Sequence, residues 1–489
     1  METIKHISDL KPAIVWKYFR EVTQIPRPSK KEERIIQYLE SFAAKQHLPF
    51  KKDDIGNVLI CKAATPGYED RPVVVLQSHL DMVCEKNRDV VHDFDKDPIV
   101  TVVDGDWLRA EGTTLGADNG IGVAAELAVL ASEDVEHGPI ECLFTVDEET
   151  GLSGAGALKE GFMTGKILLN LDSEDEGELF IGCAGGKSTT ATFTYEPLSA
   201  PAELHYFRIG AGGLNGGHSG SDIHKGLGNA NKLLARFLYL IRKDFTVVLS
   251  ALEGGNLHNA IARESYAVIG LAGEDREAVR VWLNRFAADV ENELKHVDPN
   301  VCLTMETVDP PRTCFGDEQA GRLINALLAC PHGVMAMSRE MEGLVETSTN
   351  LASVKRAGEN RVVVGTSQRS SIESAKIAVA DQVAAVFQLA GATVEQGEGY
   401  PGWAPDTRSA ILETARETYR NLFGKEPKIK AIHAGLECGL FLEKYPYLDM
   451  ISFGPTLRDV HSPNERIEIA TVGLWWRHLL EILKYANIG

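Results

Sequence analysis

An apolar run at 73–76, followed closely by His79 and Asp81, restricts the fold of this chain more than any other segment. Four bulky apolar residues in succession predict a β-strand that is buried on both faces. Because side chains alternate along an extended chain, His79 and Asp81 should point in the same direction. A carboxylate beside one imidazole nitrogen fixes the tautomer and makes the other nitrogen a better metal ligand. Taken alone, however, a His-x-Asp sequence more often marks a loop histidine beside a solvated aspartate.

Two further apolar segments end in the same way. The predicted strand 140–146 leads into the acidic triplet 147–149, and the predicted strand 166–171 leads into Asp172. Each acidic loop by itself is compatible with an ordinary solvated loop. In open α/β sheets, however, ligands bind beside the carboxyl ends of the strands. The recurrence therefore predicts one functional site that is assembled from several strand ends.

Three other polar residues lie in glycine-containing segments. Asp118 directly precedes a helix that is predicted at 121–131, where aspartate is also a favoured N-cap. His461 follows an apolar strand and a glycine loop. His218 lies in the segment 210–220, in which six of the eleven residues are glycine, so the backbone can approach a bound molecule closely. His218 is therefore either a substrate contact or a surface histidine.

The order of the predicted elements indicates an α/β domain that is interrupted by an inserted domain. A chain of 489 residues is too long for one ordinary core. We expect a first part at 1–187, an inserted domain at 188–398 and a second part at 399–489, where proline and glycine mark the return of the chain. The strand–helix alternation of the insert is compatible with two similar α/β halves, although no sequence repeat proves them.

The composition excludes several classes of partner. The formal net charge is −20, which disfavours contact with nucleic-acid phosphates and anionic membranes. No apolar segment approaches the roughly 20 residues that span a bilayer, and the N-terminal residues lack the apolar region of a signal peptide. The eight cysteines include no Cys-x-x-Cys pair, which argues against a zinc ribbon and fits a reducing compartment. We therefore expect a cytoplasmic protein without nucleic-acid or membrane partners.

The candidate ligands are two imidazoles and several carboxylates, a donor set that suits zinc, manganese or cobalt. Two such ions about 3.5–4 Å apart that share one carboxylate would need roughly five protein ligands and a water molecule. The pair Glu148 and Glu149 fits this plan, because one carboxylate can bind metal while its neighbour accepts a proton from the water. An exposed acidic loop is a possible explanation for each candidate ligand site taken singly. It is a poor explanation for all five candidate sites together.

Five segments resemble the metal-site motifs of the co-catalytic zinc aminopeptidase–carboxypeptidase clan, in the same order and over nearly the whole chain. They are His79-Leu-Asp81, Gly116-Ala-Asp118-Asn-Gly, Asp147-Glu148-Glu149-Thr-Gly, Asn170-Leu-Asp172-Ser-Glu and Asp459-Val-His461-Ser-Pro. The segments around His79, His218 and His433 most resemble the aminoacyl-histidine dipeptidases, also called bacterial carnosinases. The resemblance implies a central mixed sheet flanked by helices, with an inserted α+β lid domain. It also implies a cis peptide bond after Asp118.

The resemblance implies a role for each candidate residue. The metal ligands would be His79 and Asp172 for one ion, Glu149 and His461 for the other, and Asp118 between the two. Asp81 would orient His79, and Glu148 would act as general base and then as acid toward the leaving amine. The substrate contacts would be His218, Asn259, Arg369 and Gly435. The implied cofactors are two zinc ions, with manganese or cobalt as alternatives.

The implied activity is hydrolysis of short dipeptides, including Xaa-His substrates such as β-Ala-His. One alternative is a deacylase of N-acyl amino acids, although in the family an aspartate at the position of Asp172 accompanies amino- and dipeptidases. Another is a peptide-binding relative that has lost catalysis, which the intact Glu148 argues against. A homodimer is compatible with the sequence but is not required, because the large insert can supply His218 within one chain.

Overall fold

The computed structural model describes residues 6–487. The chain forms two compact units. Unit 1 comprises the described residues up to Cys183, the segment Trp403–Ala431 and the described residues from Leu436 onward. Unit 2 comprises Ala184–Gly402 and Ile432–Gly435. Among residues 6–487, no helix combines the length and the apolar character needed to cross a membrane.

Twelve α-helices and three short 3-10 helices occur within the described residues. The α-helices are α1 (Ala13–Thr23), α2 (Glu33–Gln46), α3 (Ala117–Ala131), α4 (Glu148–Gly151), α5 (Ser153–Ala157), α6 (Ala230–Ile241), α7 (Arg276–Leu294), α8 (Asp317–Ala329), α9 (Glu373–Leu389), α10 (Ala410–Phe423), α11 (Glu437–Lys444) and α12 (Ile469–Tyr485). The 3-10 helices are Ile7–Asp9, Ile223–Lys225 and Gly273–Asp275.

Residues 6–487 also form 23 strands. They are β1 (Phe50–Lys52), β2 (Val58–Lys62), β3 (Val74–His79), β4 (Thr101–Asp104), β5 (Trp107–Ala110), β6 (Ile140–Thr145), β7 (Ile167–Asn170), β8 (Glu178–Cys183), β9 (Gly185–Thr194), β10 (Leu198–Ser199), β11 (His205–Gly212), β12 (Val248–Gly254), β13 (Ser265–Leu271), β14 (Cys302–Val308), β15 (Thr313–Cys314), β16 (Gly333–Met337), β17 (Val345–Arg356), β18 (Arg361–Ser370), β19 (Thr393–Gln396), β20 (Lys428–Ile432), β21 (Asp449–Ser452), β22 (Leu457–Arg458) and β23 (Arg466–Glu468).

Unit 1 is built on a mixed sheet with the strand order β1-β2-β6-β3-β7-β21-β8-β20. Its four central strands are parallel, because β3 pairs in parallel with β6 and β7, and β21 pairs in parallel with β7. Every residue of β3, β6 and β7 is buried, as expected for strands covered on both faces. The carboxyl ends of the central strands therefore meet at one edge of the sheet. A separate four-stranded sheet, β22-β23-β5-β4, also belongs to this unit.

Helix α3 packs against β3 and is buried over almost its whole length. Its composition of Ala, Gly, Val, Leu and Ile explains this, since a helix that is apolar on all sides has no face suited to water.

The N-cap interpretation of Asp118 is wrong. Gly116 occupies the N-cap position, Asp118 has non-helical backbone angles, and its two carboxylate oxygens contact His79 and His461. The peptide bond from Asp118 to Asn119 is cis, as the family resemblance implied.

Unit 2 contains a nine-stranded antiparallel sheet in the order β14-β11-β13-β12-β17-β18-β9-β19, with β16 added beside β17. Strands β12 and β17 meet at a single residue pair, Gly254 and Val354. The sheet therefore has one part of four strands and one of five, in agreement with the strand–helix alternation in the sequence. Helices α6, α7, α8 and α9 share one apolar core with these strands, and the predicted α+β character of the insert is confirmed.

Candidate active site

The carboxyl edge of the unit 1 sheet collects the predicted metal ligands. His79 is the last residue of β3, Glu149 lies in α4 directly after β6, and Asp172 follows β7 by two residues. Three groups of three described residues have ligand atoms within 4.8 Å of one another, and two of these groups contain Asp118. These two groups are His79, Asp118 and Asp172, and Asp118, Glu149 and His461. The five residues named from the sequence therefore lie together around one shared aspartate.

The two oxygens of Asp118 face different imidazoles. Nε2 of His79 lies 3.0 Å from Oδ1 of Asp118 and 3.4 Å from Oδ1 of Asp172. Nε2 of His461 lies 3.2 Å from Oδ2 of Asp118 and 3.1 Å from Oε2 of Glu149. Each imidazole nitrogen thus lies close to two carboxylate oxygens, one of which belongs to Asp118.

The residues fit bound divalent metal. Several carboxylates share this small space with only two imidazoles, and an isolated buried carboxylate is costly unless a cation or hydrogen-bond donors compensate it. Oε1 of Glu149 is buried and has no hydrogen-bond partner. Imidazole nitrogens and carboxylate oxygens without thiolates are a donor set for zinc, manganese or cobalt.

The pKa values of the ligands report the same concentration of negative charge. Burial by itself disfavours imidazolium at His79, yet the carboxylates of Asp172, Asp118 and Asp81 outweigh burial and raise its pKa well above the usual value. Hydrogen bonds to Asp118 and Glu149 raise the pKa of His461 to about 11. Burial raises the pKa of Asp172 to about 7. The raised pKa values mean that His79, His461 and Asp172 hold protons more firmly than usual, and a metal ion that binds them would have to displace these protons.

Divalent metal should stabilise this protein more at about pH 8 than at about pH 5.5. A raised carboxyl pKa, as at Asp172, gives stability that is complete below the unfolded value near 4 and is lost as pH rises through about 7. The raised pKa of His461 acts in the same direction above about pH 6.5. We expect zinc or manganese to raise Tm by about 5–10 °C at the higher pH and clearly less at the lower.

Differential scanning fluorimetry of chelator-treated protein, with and without added metal, measures this shift. Magnesium at equal concentration is the control, because it prefers six oxygen ligands over imidazole. If the Tm of the metal-free protein rose between about pH 5.5 and about pH 8, that result would contradict the raised pKa values of Asp172 and His461.

Asp81 contacts Nδ1 of His79, the ring nitrogen that does not face Asp118. Its carboxylate Oδ1 lies 3.5 Å from Nδ1 of His79, and its backbone oxygen lies 3.2 Å from the same nitrogen. The fully buried carboxylate also accepts the backbone N–H groups of Glu148 and Glu149 at 3.0 and 3.2 Å, and the hydroxyl of Ser29 at 2.7 Å. Asp81 therefore fixes both the imidazole and the start of α4, where the two glutamates lie.

Glu148 is placed to move a proton. It forms a third group with His79 and Glu149, whose ligand atoms also lie within 4.8 Å of one another. Burial raises the pKa of Glu148 well above its usual value. A carboxyl group with a raised pKa is a better proton acceptor, which suits a general base that acts near neutral pH.

Unit 2 holds the four residues that the resemblance linked to substrate. His218 and Asn259 line an open cavity of about 1320 Å³ in this unit. Nδ1 of His218 accepts the N–H groups of Gly220 and Ser221, both at 3.2 Å, so Nε2 carries the proton of the neutral ring. Burial, together with the charge of Arg369, lowers the pKa of His218. His218 can therefore donate a hydrogen bond without being charged.

Arg369 and Gly435 share a neighbour, Tyr400. Arg369 as a whole is nine-tenths buried. Its guanidinium donates from Nη1 to the Tyr400 hydroxyl at 3.0 Å and has no partner for Nε. A Cβ atom at Gly435 would lie 2.9 Å from the Tyr400 ring, so a side chain there would displace it. An unpartnered, buried guanidinium N–H is suited to a carboxylate.

Several residues that contact the candidate site residues were not predicted to have a role. In unit 2 this residue is Tyr400, and in unit 1 they are the buried residues Arg27, Glu437 and Glu465. The carboxylate of Glu437 accepts hydrogen bonds from Nε2 of Gln77 at 2.6 Å and from Oγ1 of Thr145 at 2.9 Å. Glu437 lies inside the segment around His433 that resembles the family, whereas Glu465 lies two residues beyond the segment of His461.

Comparison with known proteins identifies the family. A family model described as peptidase family M20/M25/M40 matches residues 75–484. The chain belongs to this family. M20 peptidases depend on metal, in agreement with the donor set around Asp118. The expected zinc-exopeptidase-like fold and the assignment to a metallopeptidase are thereby confirmed.

Two relatives match this M20 peptidase over nearly its full length. The cytosol non-specific dipeptidase of Escherichia coli K12 is 44% identical over 481 residues, which cover 98% of this chain and 99% of that protein. The crystal structure of aminoacylhistidine dipeptidase from Vibrio alginolyticus has a TM-score of 0.93 and 45% identity, with 99% of each chain covered. A tripeptidase from Staphylococcus aureus shares the fold, with a TM-score of 0.56, 18% identity and coverage of 97% and 98%.

Proposed function

We propose that this M20 peptidase is a two-metal dipeptidase whose substrates include Xaa-His dipeptides such as β-Ala-His. The observation that carries the proposal is the position of Asp118, whose two oxygens lie 3.0 and 3.2 Å from Nε2 of His79 and His461. Similarity to a cytosol non-specific dipeptidase and to an aminoacylhistidine dipeptidase supports the choice of substrate. Zinc is the proposed ion, with manganese or cobalt as alternatives.

The metal ligands in this proposal are His79 and Asp172 for one ion, Glu149 and His461 for the second, and Asp118 between them. When bound, the ions would polarise the scissile carbonyl and lower the pKa of a water molecule. Glu148 takes the proton from the water as its oxygen bonds to the carbonyl carbon. Glu148 then returns the proton to the amine nitrogen as the peptide C–N bond breaks.

We propose that unit 2 supplies the groups that recognise the rest of the substrate. His218, with its proton on Nε2, donates to the oxygen that becomes negative when the carbonyl is attacked. The unpartnered guanidinium N–H of Arg369 binds the terminal carboxylate, and Asn259 and the backbone of Gly435 make further contacts. We also propose that the enzyme acts in the cytoplasm, which is in keeping with the description of its E. coli relative as a cytosol dipeptidase.

Hydrolysis of a small substrate panel tests the proposal. The panel holds β-Ala-His, Gly-His, Ala-Ala, a tripeptide and an N-acetyl amino acid, each with added zinc, manganese or cobalt and again after chelation. We expect metal-dependent cleavage of the dipeptides, with the tripeptide and the acetyl compound left intact. Cleavage of the acetyl compound alone would instead make the protein a deacylase. Stoichiometric metal binding without any hydrolysis would favour a peptide-binding protein.

A further inference from the structure

The carboxylate of Glu465 accepts hydrogen bonds from four consecutive backbone N–H groups, those of Leu115, Gly116, Ala117 and Asp118. The four N···O distances are 2.7, 2.9, 2.7 and 3.2 Å. Only 2% of Glu465 is exposed to solvent. Successive N–H groups that point to one place form a binding site for an anion, and here the anion is a side chain of the same protein.

This contact joins the two chain segments that meet at the metal ligands. One of the four donors is the N–H of Asp118, the residue whose carboxylate lies between the two imidazoles. His461 stands only four residues before Glu465. The backbone of His461 has a φ of 60°, which is uncommon for residues other than glycine and has to be held by its surroundings. Glu465 therefore anchors the loop of His461 directly on the segment of Asp118.

Arg27 holds the same segment through its carbonyl groups. Only 1% of this arginine is exposed, and its Nη2 donates to the backbone oxygen of Gly116 at 2.5 Å. Its Nη1 donates to the backbone oxygens of Leu80 and Asp81 at 2.8 and 2.7 Å. Gly116 has a φ of 67°, and a Cβ atom there would lie 2.6 Å from Nη2 of Arg27. The segment before Asp118 is thus bound by a buried anion through its N–H groups and by a buried cation through a carbonyl.

We infer that Glu465 is a positioning residue of the metal centre, which fixes Asp118 relative to His461 before any ion binds. The inference rests on the proposed two-metal function, because only a site that holds two ions needs the bridging carboxylate and a terminal imidazole at a set separation. Charged hydrogen bonds from four amides hold their acceptor more firmly than neutral ones. Residues that orient metal ligands in this way raise metal affinity although they never touch the ion.

The substitution Glu465→Gln tests this inference. The amide keeps the shape of the side chain but replaces one acceptor oxygen by an NH₂ group, which cannot accept the N–H groups that now point to it. Glu141 offers a matched control, because its buried carboxylate accepts the N–H groups of Thr164 and Gly165 at 2.8 and 3.0 Å. We expect E465Q to bind zinc about 10- to 100-fold more weakly than the wild type, and E141Q to bind it normally.

Competition with a chromophoric chelator gives the zinc dissociation constants, and thermal unfolding of the metal-free variants gives their stability. Wild-type affinity in a folded E465Q would overturn the inference. If E465Q does not fold, Glu465→Asp, which keeps the charge but is one methylene shorter, takes its place with the same criterion. If the wild type itself binds no zinc, the proposed function fails, which distinguishes that outcome from failure of the positioning role.

Hydrogen exchange of the unsubstituted protein provides a second measurement. Preorganisation by Glu465 predicts that the amides of residues 115–118 are protected equally in the metal-free and the zinc-loaded protein. Protection that appears only after zinc is added would show that the metal orders this segment, and would overturn the inference.

Discussion

Replacement of Glu148 by glutamine is expected to lower kcat for dipeptide hydrolysis by about 10³- to 10⁴-fold while the metal content stays unchanged. Glutamine has nearly the same shape as glutamate but cannot accept a proton from water or return one to the leaving amine. Glu148 belongs to neither of the two ligand groups that share Asp118, so its loss leaves all five proposed ligands in place. Steady-state kinetics with β-Ala-His and elemental analysis of the same preparation measure both quantities.

Glu148→Asp is the informative companion variant. Aspartate retains the proton acceptor but withdraws it by one methylene, so we expect activity between those of the wild type and E148Q. The N–H of residue 148 would still be bound by Asp81, so the start of α4 should stay in place in both variants. Activity of E148Q within tenfold of the wild type, with metal bound, would remove Glu148 from the mechanism.

The strand ends of the site could be predicted because they depend on local rules. Side chains alternate along a strand, and parallel strands deliver their carboxyl ends to one edge, so the apolar segments before His79 and Asp172 were sufficient to place both residues. Burial of β3 and β7 on both faces follows equally from their unbroken apolar sequences. Short apolar segments of the sequence were therefore enough to predict β3 and β7, the two strands that end beside the site.

The contacts that hold the ligands in place could not be predicted, because they join residues far apart in the chain. Glu465 and its first amide donor are separated by 350 residues, and Glu437 and Gln77 by 360. No periodicity connects such positions, and a buried arginine such as Arg27 has the same sequence signature as an exposed one. The N-cap alternative for Asp118 failed for a related reason. The backbone N–H of Asp118 bonds to Glu465, 347 residues further along the chain, and local sequence preferences do not show such a contact.

Replacement of Asp118 by asparagine is expected to abolish binding of at least one ion and to reduce kcat by about 10³-fold or more. Asparagine has the shape of aspartate, but it offers one oxygen instead of two and places an NH₂ group where the second ion or imidazole would be. Nε2 of His79 and Nε2 of His461 now lie 3.0 and 3.2 Å from separate oxygens of Asp118, and only one of them would still face an oxygen. Metal stoichiometry after gel filtration, together with kcat at saturating zinc, measures the loss.

Asp298→Asn provides the matched control for this variant. Asp298 is also buried, and its carboxylate accepts the N–H groups of Asn215 and Gly228, each at 2.7 Å, within unit 2. We expect D298N to lose some stability but to keep both ions, whereas D118N loses metal at a temperature where both metal-free variants are folded. Thermal unfolding of the metal-free variants sets that temperature, because each substitution removes hydrogen bonds of a carboxylate. A D118N protein that still bound two zinc ions and turned over β-Ala-His at the wild-type rate would exclude Asp118 as the bridging ligand.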